Sequence, residues 1–261
     1  MALITLISDY GLNSPYVASI KGAILSANQN LTIVDITHSI KSHDVLQAAY
    51  ILKTASRNFP DGTIHIISVD TSLLIHGQFL VVVYNKQYFI AADNGIFSLL
   101  FNEIPEKVYA INQDLINQSD LFPDKNLFTK IALKILNNEH FDTFLTQSQI
   151  KNIKQNIAPV VEENLIRGNI IFIDGYGNAV TNISRKLFEQ KLIGGKKFSI
   201  FYRRKQKINR ISKNYSDVKS GNEVALFNEE DLLEIAMNTG KAEQLLGLKE
   251  NNPVIIEFYD K

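Results

Sequence analysis

Four strand-like runs of this chain end in a side-chain carboxylate, and from that pattern a chemistry can be read. ISDYG carries Asp9, IISVD ends in Asp70, FIAADNG closes on Asp93 and Asn94, and IIFIDGYGN on Asp174 and Asn178. A carboxylate presents two acceptor oxygens, which suit a pair of neighbouring hydroxyls or a cation. A single aspartate after a strand commonly does no more than bond turn amides. Four such endings exceed what turn chemistry usually supplies, and together they predict a polar pocket for a hydroxyl-rich, cationic ligand.

Two other clusters invite sharper readings. DITHSIKSHD (35–44) holds two acids and two histidines in ten residues. No spacing in it matches the two-histidine helical zinc motif, so the expectation is that Asp35 and His38 close a strand-end turn, that Asp44 caps the next helix, and that no metal binds. YRRKQKINRISK (202–213) carries six basic residues in twelve. Phosphate contacts would need such charge, but aromatic interleaving is thin, so a solvated hairpin is expected rather than a nucleic-acid surface. GYGN lacks the glycine spacing of a phosphate-cradling loop, and no Walker-type motif occurs.

The elements that must position these residues follow from periodicity. Leu3 to Ile7 is short, apolar and β-rich, which predicts a buried strand with Asp9 in the turn beyond its carboxyl end. The next helix should start with Ser14 as cap and Pro15 in its first turn, with Val17, Ile20 and Ile24 on one face. TIVDITH is a second strand. Val45, Ala49, Leu52 and Ala55 predict a helix, and TIHIISVD, QFLVVVYN, QYFIAAD and KVYAIN four further strands. Phe128, Ile131, Ala132 and Ile135 return to helical period. Such alternation predicts an α/β domain with a mostly parallel sheet over residues 1–140, and in such sheets ligands bind at the carboxyl ends of strands. Residues 141–162 read as helix and linker, and 163–261 as a smaller domain of short strands interrupted by one helical stretch, LLEIAMNTGKAEQLLG, a β-barrel.

Composition narrows the classes. The 261 residues have no net charge, 45% apolar side chains and no cysteine. Neutrality removes any global field toward nucleic acid or anionic membrane. The missing thiols exclude disulfides and cysteine-ligated metal. No apolar run approaches ~18 residues and no basic leader is evident, so a soluble, cytoplasmic protein is expected.

The same residues carry a resemblance. In the order SDYG, VDITH, HDV, FPDGTIHIISVD, FIAADNG, IDGYGNAVTNIS and LLEIAMNTG, the chain resembles the S-adenosylmethionine hydrolases that form adenosine, relatives of the S-adenosylmethionine-dependent fluorinases and chlorinases. The likeness runs from Ile4 to about Gly247. It implies S-adenosylmethionine as substrate with no cofactor, and a homotrimer whose sites lie between one subunit's N-terminal domain and its neighbour's C-terminal domain. It implies that Asp9 holds the ribose 2′ and 3′ hydroxyls and that His43 stands where halogenating relatives place an aromatic wall. Asp174 would face the amino group of the methionine part, Tyr176 the adenine face and Asn178 the adenine edge. Asp70 matches one member of the hydrolases' water-binding triad.

The chain departs from the family where chemistry is done. The triad's arginine position is Gly77 and its histidine position Pro123, and Thr71-Ser72-Leu73-Leu74 replaces a glycine-rich loop. Glu229 and Glu230 stand where fluorinases carry Ser and Arg for the methionine carboxylate. Asp124 in FPDKN falls where fluorinases carry a halide-contacting serine, which makes Asp70 and Asp124 the candidate water-holding pair and disfavours halide. A helix cap is the alternative role for Asp124. Two functions stay open at this level: hydrolysis at C5′, or binding of S-adenosylmethionine or adenosine without turnover.

Overall fold

In a computed structural model, residues 3–72, 77–101, 103–117, 119–155, 157–203 and 206–260 are described. Leu73 and Leu74 of the replaced loop, and Arg204 and Lys205 of the basic stretch, lie outside them. The chain divides into two compact units, Met1–Asn156 and Ile157–Lys261.

The first unit is built on a seven-stranded sheet. Its strands are β1 (Leu3–Ser8), β2 (Thr32–Thr37), β3 (Ile64–Ser68), β4 (Phe79–Tyr84), β5 (Gln87–Ala92), β6 (Lys107–Ile111) and β7 (Leu145–Gln147), in the order β2-β1-β3-β5-β4-β6-β7. The pairs β1–β2, β1–β3 and β3–β5 are parallel, and the remaining three are antiparallel. Only β4 and β7 are therefore reversed, and the sheet is mixed but mostly parallel, as the sequence predicts. β1 fits its central place because Ile4, Leu6 and Ile7 are all buried. Each such side chain contributes about 1.5–3 kcal/mol on leaving water.

Helices cover both faces. α1 (Tyr16–Ala27) buries Val17, Ile20 and Ile24 on one side, where Phe128, Ile131 and Ala132 also pack. On the other side lie α2 (Val45–Ser56), which buries Val45, Ala49 and Leu52, and α3 (Ile96–Leu100). Asp44 caps α2 as expected, its carboxylate accepting the Gln47 N–H at 2.9 Å. Ser14 does not cap α1. The cap position is Pro15, so Ser14 stands one residue before it, and its hydroxyl donates to the Tyr10 carbonyl at 2.9 Å.

Two segments differ from expectation. The helix α4 (Thr129–Leu136) is preceded by a π-helical turn over Asp124–Phe128. The stretch expected as helix and linker instead supplies a 3-10 turn (Phe141–Thr143) and the edge strand β7, which pairs with β6. Leu145 is the only strongly apolar residue of β7, too weak a pattern to announce a strand.

The second unit is all-antiparallel. It contains β8 (Val160–Glu162), β9 (Leu165–Ile173), β10 (Ala179–Ser184), β11 (Lys197–Arg203), β12 (Gln206–Ile208), β13 (Glu223–Phe227), β14 (Leu232–Met237) and β15 (Pro253–Tyr259), in the order β12-β11-β15-β9-β10-β14-β13 with β8 on β9. Just past β12 the Ser212 N–H donates to the Ala225 carbonyl of β13 at 2.8 Å, which brings the two ends of the sheet together. The result is the expected barrel, nearly closed around Ile166, Ile170, Ile200 and Ile235. Two short helices, α5 (Arg185–Lys191) and α6 (Ala242–Leu246), complete it. Among the described residues no helix is long and apolar enough to cross a membrane.

Candidate active site

The carboxyl ends of β1 and β3 are adjacent, and the turns beyond them bring together residues far apart in sequence. Past β1 the Asp9 N–H donates to the Ser68 carbonyl at 3.3 Å. Gly11, at φ +68, then donates its N–H to the His38 carbonyl at 2.8 Å. A side chain would be strained at that φ, which explains the glycine of SDYG. The loop before α2 crosses the same edge, and there the His43 N–H donates to Asp9 Oδ2 at 2.9 Å. His43 Nδ1 lies 3.0 Å from Asp70 Oδ1. Asp9, His43 and Asp70 thus form one connected group.

Two members of that group have unusual backbone. His43 sits at φ +63 and Asp70 at φ +49, the left-handed region that few non-glycine residues adopt. Asp70 is held there by Asn94, whose side-chain amide donates to the Val69 and Asp70 carbonyls at 2.8 and 3.0 Å. Such conformations persist only where surrounding contacts over-determine them, and they cluster at functional sites.

Behind this group lies Asp124. It is fully buried, and its Oδ2 accepts hydrogen bonds from the Tyr10 hydroxyl and, at 3.1 Å, from Thr71 Oγ1. Burial pushes its carboxyl up to about 6, against the lowering effect of the bonds from Tyr10, Thr71 and Ser68. The Tyr10 phenol is raised as well, first by burial and then by the Asp124 charge. Asp124 is itself the first residue of the π-helical turn, whose cap position is Pro123, so it is not the cap that its position suggested. It is also sealed from solvent, and Thr71, the neighbour of Asp70, bonds to it. Neither Tyr10 nor Thr71 was singled out by sequence reasoning. The signal was present in their places, one after each strand-end aspartate. Edge-on contact with Phe122, at 5.8 Å between centroids, holds the Tyr10 ring.

Of the strand-end acids expected to line a polar pocket, Asp93 is not open to one. Asp93 is fully buried, and its Oδ2 accepts bonds from Gln78 Nε2 and from the Lys151 and Asn152 N–H groups at 2.8, 2.8 and 3.3 Å. It fastens the chain after β7 to the end of β5, a structural task. Asp35 pairs with Lys21 at 2.6 Å and lies 3.1 Å from His38 Nε2. Among the described residues no group of three or more acids and histidines is placed to hold a metal.

Asp174, Tyr176 and Asn178 meet in the second unit. Asp174 Oδ1 accepts the Tyr176 and Asn178 N–H groups at 2.9 and 2.8 Å, and Oδ2 the Asn178 amide at 3.1 Å. Gly177, at φ +81, completes this turn where a Cβ would come within 2.9 Å of Lys241. The loop borders an open depression of about 630 Å³ with Tyr215, Met237 and Lys241 on its walls. Tyr176 is 80% exposed there, a flat ring available to another flat ring. Nearby, Tyr215 donates to the buried Glu234 at 2.8 Å, and burial raises the Glu234 carboxyl.

The triad positions are occupied as the sequence indicates. Gly77, at φ +79, leads toward β4, and Pro123 stands before the π-helical turn. A larger side chain at Gly77 would be strained at that φ.

Comparison with known proteins agrees with this picture. Family models described as the SAM hydroxide adenosyltransferase N-terminal and C-terminal domains match residues 4–145 and 168–255. A curated relative named (R)-S-adenosyl-L-methionine hydrolase, from Methanocaldococcus jannaschii, is 27% identical over 94% of this chain and 92% of its own length. A fluorinase from Nocardia brasiliensis is 39% identical over 62 residues, 24% of this chain and 21% of its own. The crystal structure of an uncharacterized conserved protein from Thermotoga maritima superposes with a TM-score of 0.85 at 26% identity, covering 97% of this chain and 99% of that one.

Proposed function

From the premise that the chain belongs to the SAM hydroxide adenosyltransferase family, we propose that it hydrolyses S-adenosyl-L-methionine to adenosine and L-methionine. Water attacks C5′ of the ribose while the C5′–sulfur bond breaks, and the bonding pair leaves on sulfur as a neutral thioether. Such a leaving group needs no general acid and the reaction needs no cofactor. Catalysis rests on holding a water in line behind C5′ and keeping bulk solvent out.

The observation that carries the reading is the convergence of Asp9, His43 and Asp70 at the carboxyl edge of β1 and β3. Asp9 holds the ribose diol, and Asp70 faces the water. Asp124 supports that edge from behind through Tyr10 and Thr71, rather than touching the water itself. The Asp174–Asn178 loop is supplied by a neighbouring copy in a homotrimer, with Tyr176 against the adenine face, Asn178 at its edge and Asp174 toward the amino group. The protein works as a cytoplasmic trimer, for which light scattering is the check, and takes no halide, because acidic groups crowd the position of the nucleophile.

A second reading has one observation in its favour. Gly77 and Pro123 replace two triad members, and a chain so altered can bind S-adenosyl-L-methionine without turning it over. Chromatography of purified protein incubated with S-adenosyl-L-methionine separates the two. Adenosine and methionine in equal amounts support hydrolysis. Saturable binding without product supports the binder, and the absence of both overturns each.

A further inference from the structure

The attacking water must lose a proton, and Gly77 and Pro123 at the triad positions offer no group to accept it. An exposed imidazole, that of His43, stands at the carboxyl edge, and its surroundings define which nitrogen is free. We propose that His43 is the general base of the reaction, with Asp70 as the group that orients it. The inference rests on the hydrolase reading above and changes the role of His43 from a wall of the ribose site to a catalytic residue.

The argument starts from the 3.0 Å contact between His43 Nδ1 and Asp70 Oδ1. A carboxylate only accepts, so the proton of this bond sits on Nδ1, and in the neutral imidazole Nε2 then keeps a bare lone pair. That is the arrangement by which a carboxylate holds a catalytic imidazole in its basic tautomer and then stabilises the imidazolium. Access favours it too. The His43 side chain is 75% exposed while Asp70 is 17% exposed, so the imidazole reaches outward and its partner stays behind it. The His43 backbone N–H donates to Asp9 Oδ2 at 2.9 Å, which fixes the residue that carries the imidazole next to the proposed ribose anchor. Both dyad members hold left-handed backbone, φ +63 and φ +49, and bonds to Asp9 and from Asn94 fix them there.

The step balances without any further reactant. The water oxygen forms its bond to C5′ as the C5′–sulfur bond breaks, and the electron pair of that bond stays on sulfur. One water proton passes to His43 Nε2, and the product is the 5′ hydroxyl of adenosine. The imidazolium, paired with Asp70, then returns its proton to solvent.

Two substitutions test this. His43→Gly keeps the left-handed backbone without strain and opens a slot the size of an imidazole. His43→Asn also tolerates that backbone but supplies no base. With folding verified by circular dichroism, both variants are expected to lose kcat by about 10²-fold or more, with KM for S-adenosyl-L-methionine within about threefold of the wild-type value. Added imidazole should restore turnover at least severalfold in His43→Gly and leave His43→Asn unchanged. The inference is overturned if either variant keeps more than a third of wild-type kcat, or if imidazole fails to rescue His43→Gly. A wild-type chain that forms no adenosine removes the hydrolase function itself, and this inference with it, and is recognised before any variant is made.

Discussion

The two units hold their candidate residues in opposite ways. In the first unit the site is assembled over distance: Asp9 meets His43 across 34 residues, His43 meets Asp70 across 27, and Thr71 meets Asp124 across 53. In the second unit Asp174 meets Asn178 across four. The distant group depends on parallel strands placing their carboxyl ends side by side, and it stores left-handed backbone at two residues. The local loop is self-sufficient, with both oxygens of Asp174 already accepting bonds from its own turn. Chemistry should therefore be concentrated in the first group, and shape recognition in the second.

The largest expected effect is on turnover. Asp70→Asn should lower kcat by about 10²- to 10⁴-fold, the range a positioned general base contributes, because His43 loses the carboxylate that orients it. Steady-state adenosine production would reveal it. A variant with wild-type kcat would mean that the distant group does no chemistry.

Next comes stability against pH. The Asp124 carboxyl is raised from its ordinary 3.8 to about 6. Between those values the folded chain binds more protons than the unfolded chain, so stability falls as pH rises through that window and the loss is complete above it. Two units correspond to about 2–3 kcal/mol. Asp124→Asn should remove this dependence and be the more stable form at pH 7, by denaturant unfolding. A wild-type chain that gains stability from pH 4 to 7, with the variant following the same curve, would contradict the burial of a reluctant charge.

Asp9→Asn should weaken adenosine binding by about 1–3 kcal/mol, since bonds to an ionised acceptor are the strong ones. A 2′,3′-dideoxy analogue should bind both forms almost equally in calorimetry. Equal losses for the two ligands would make Asp9 structural. The smallest effect is expected at Asp174→Asn, a rise of only a few fold in KM, about 1 kcal/mol, because its oxygens are largely committed to the loop. A rise well beyond tenfold would show that the loop carries the substrate's charge, and the contrast between the units would fail.

Much of this was legible in the sequence because local signals agreed with the tertiary outcome. β1 reads as a buried strand and is one, and Asp44 caps α2 where its position said it would. Most of the barrel was visible as short strands between turns, but LLEIAM, expected as the start of a helix, is the strand β14, because it pairs on both sides with β10 and β13. What escaped detection depended on partners distant in sequence. Asp93 looks like Asp9 and Asp70 but is consumed by Gln78 and the Lys151–Asn152 backbone, which only the fold brings near. Asp124 looked like a helix cap or a water ligand, and the π-helical turn with Tyr10 above it makes it a buried support. β7 was missed because a three-residue edge strand needs little apolar pattern of its own.

The central claim is that water displaces methionine at C5′, and isotope labelling tests it most directly. Purified wild-type protein is incubated with S-adenosyl-L-methionine in water enriched in oxygen-18, and the nucleoside product is analysed by mass spectrometry. The account predicts adenosine carrying the label at its 5′ oxygen. Unlabelled adenosine, or no adenosine at all, would contradict it.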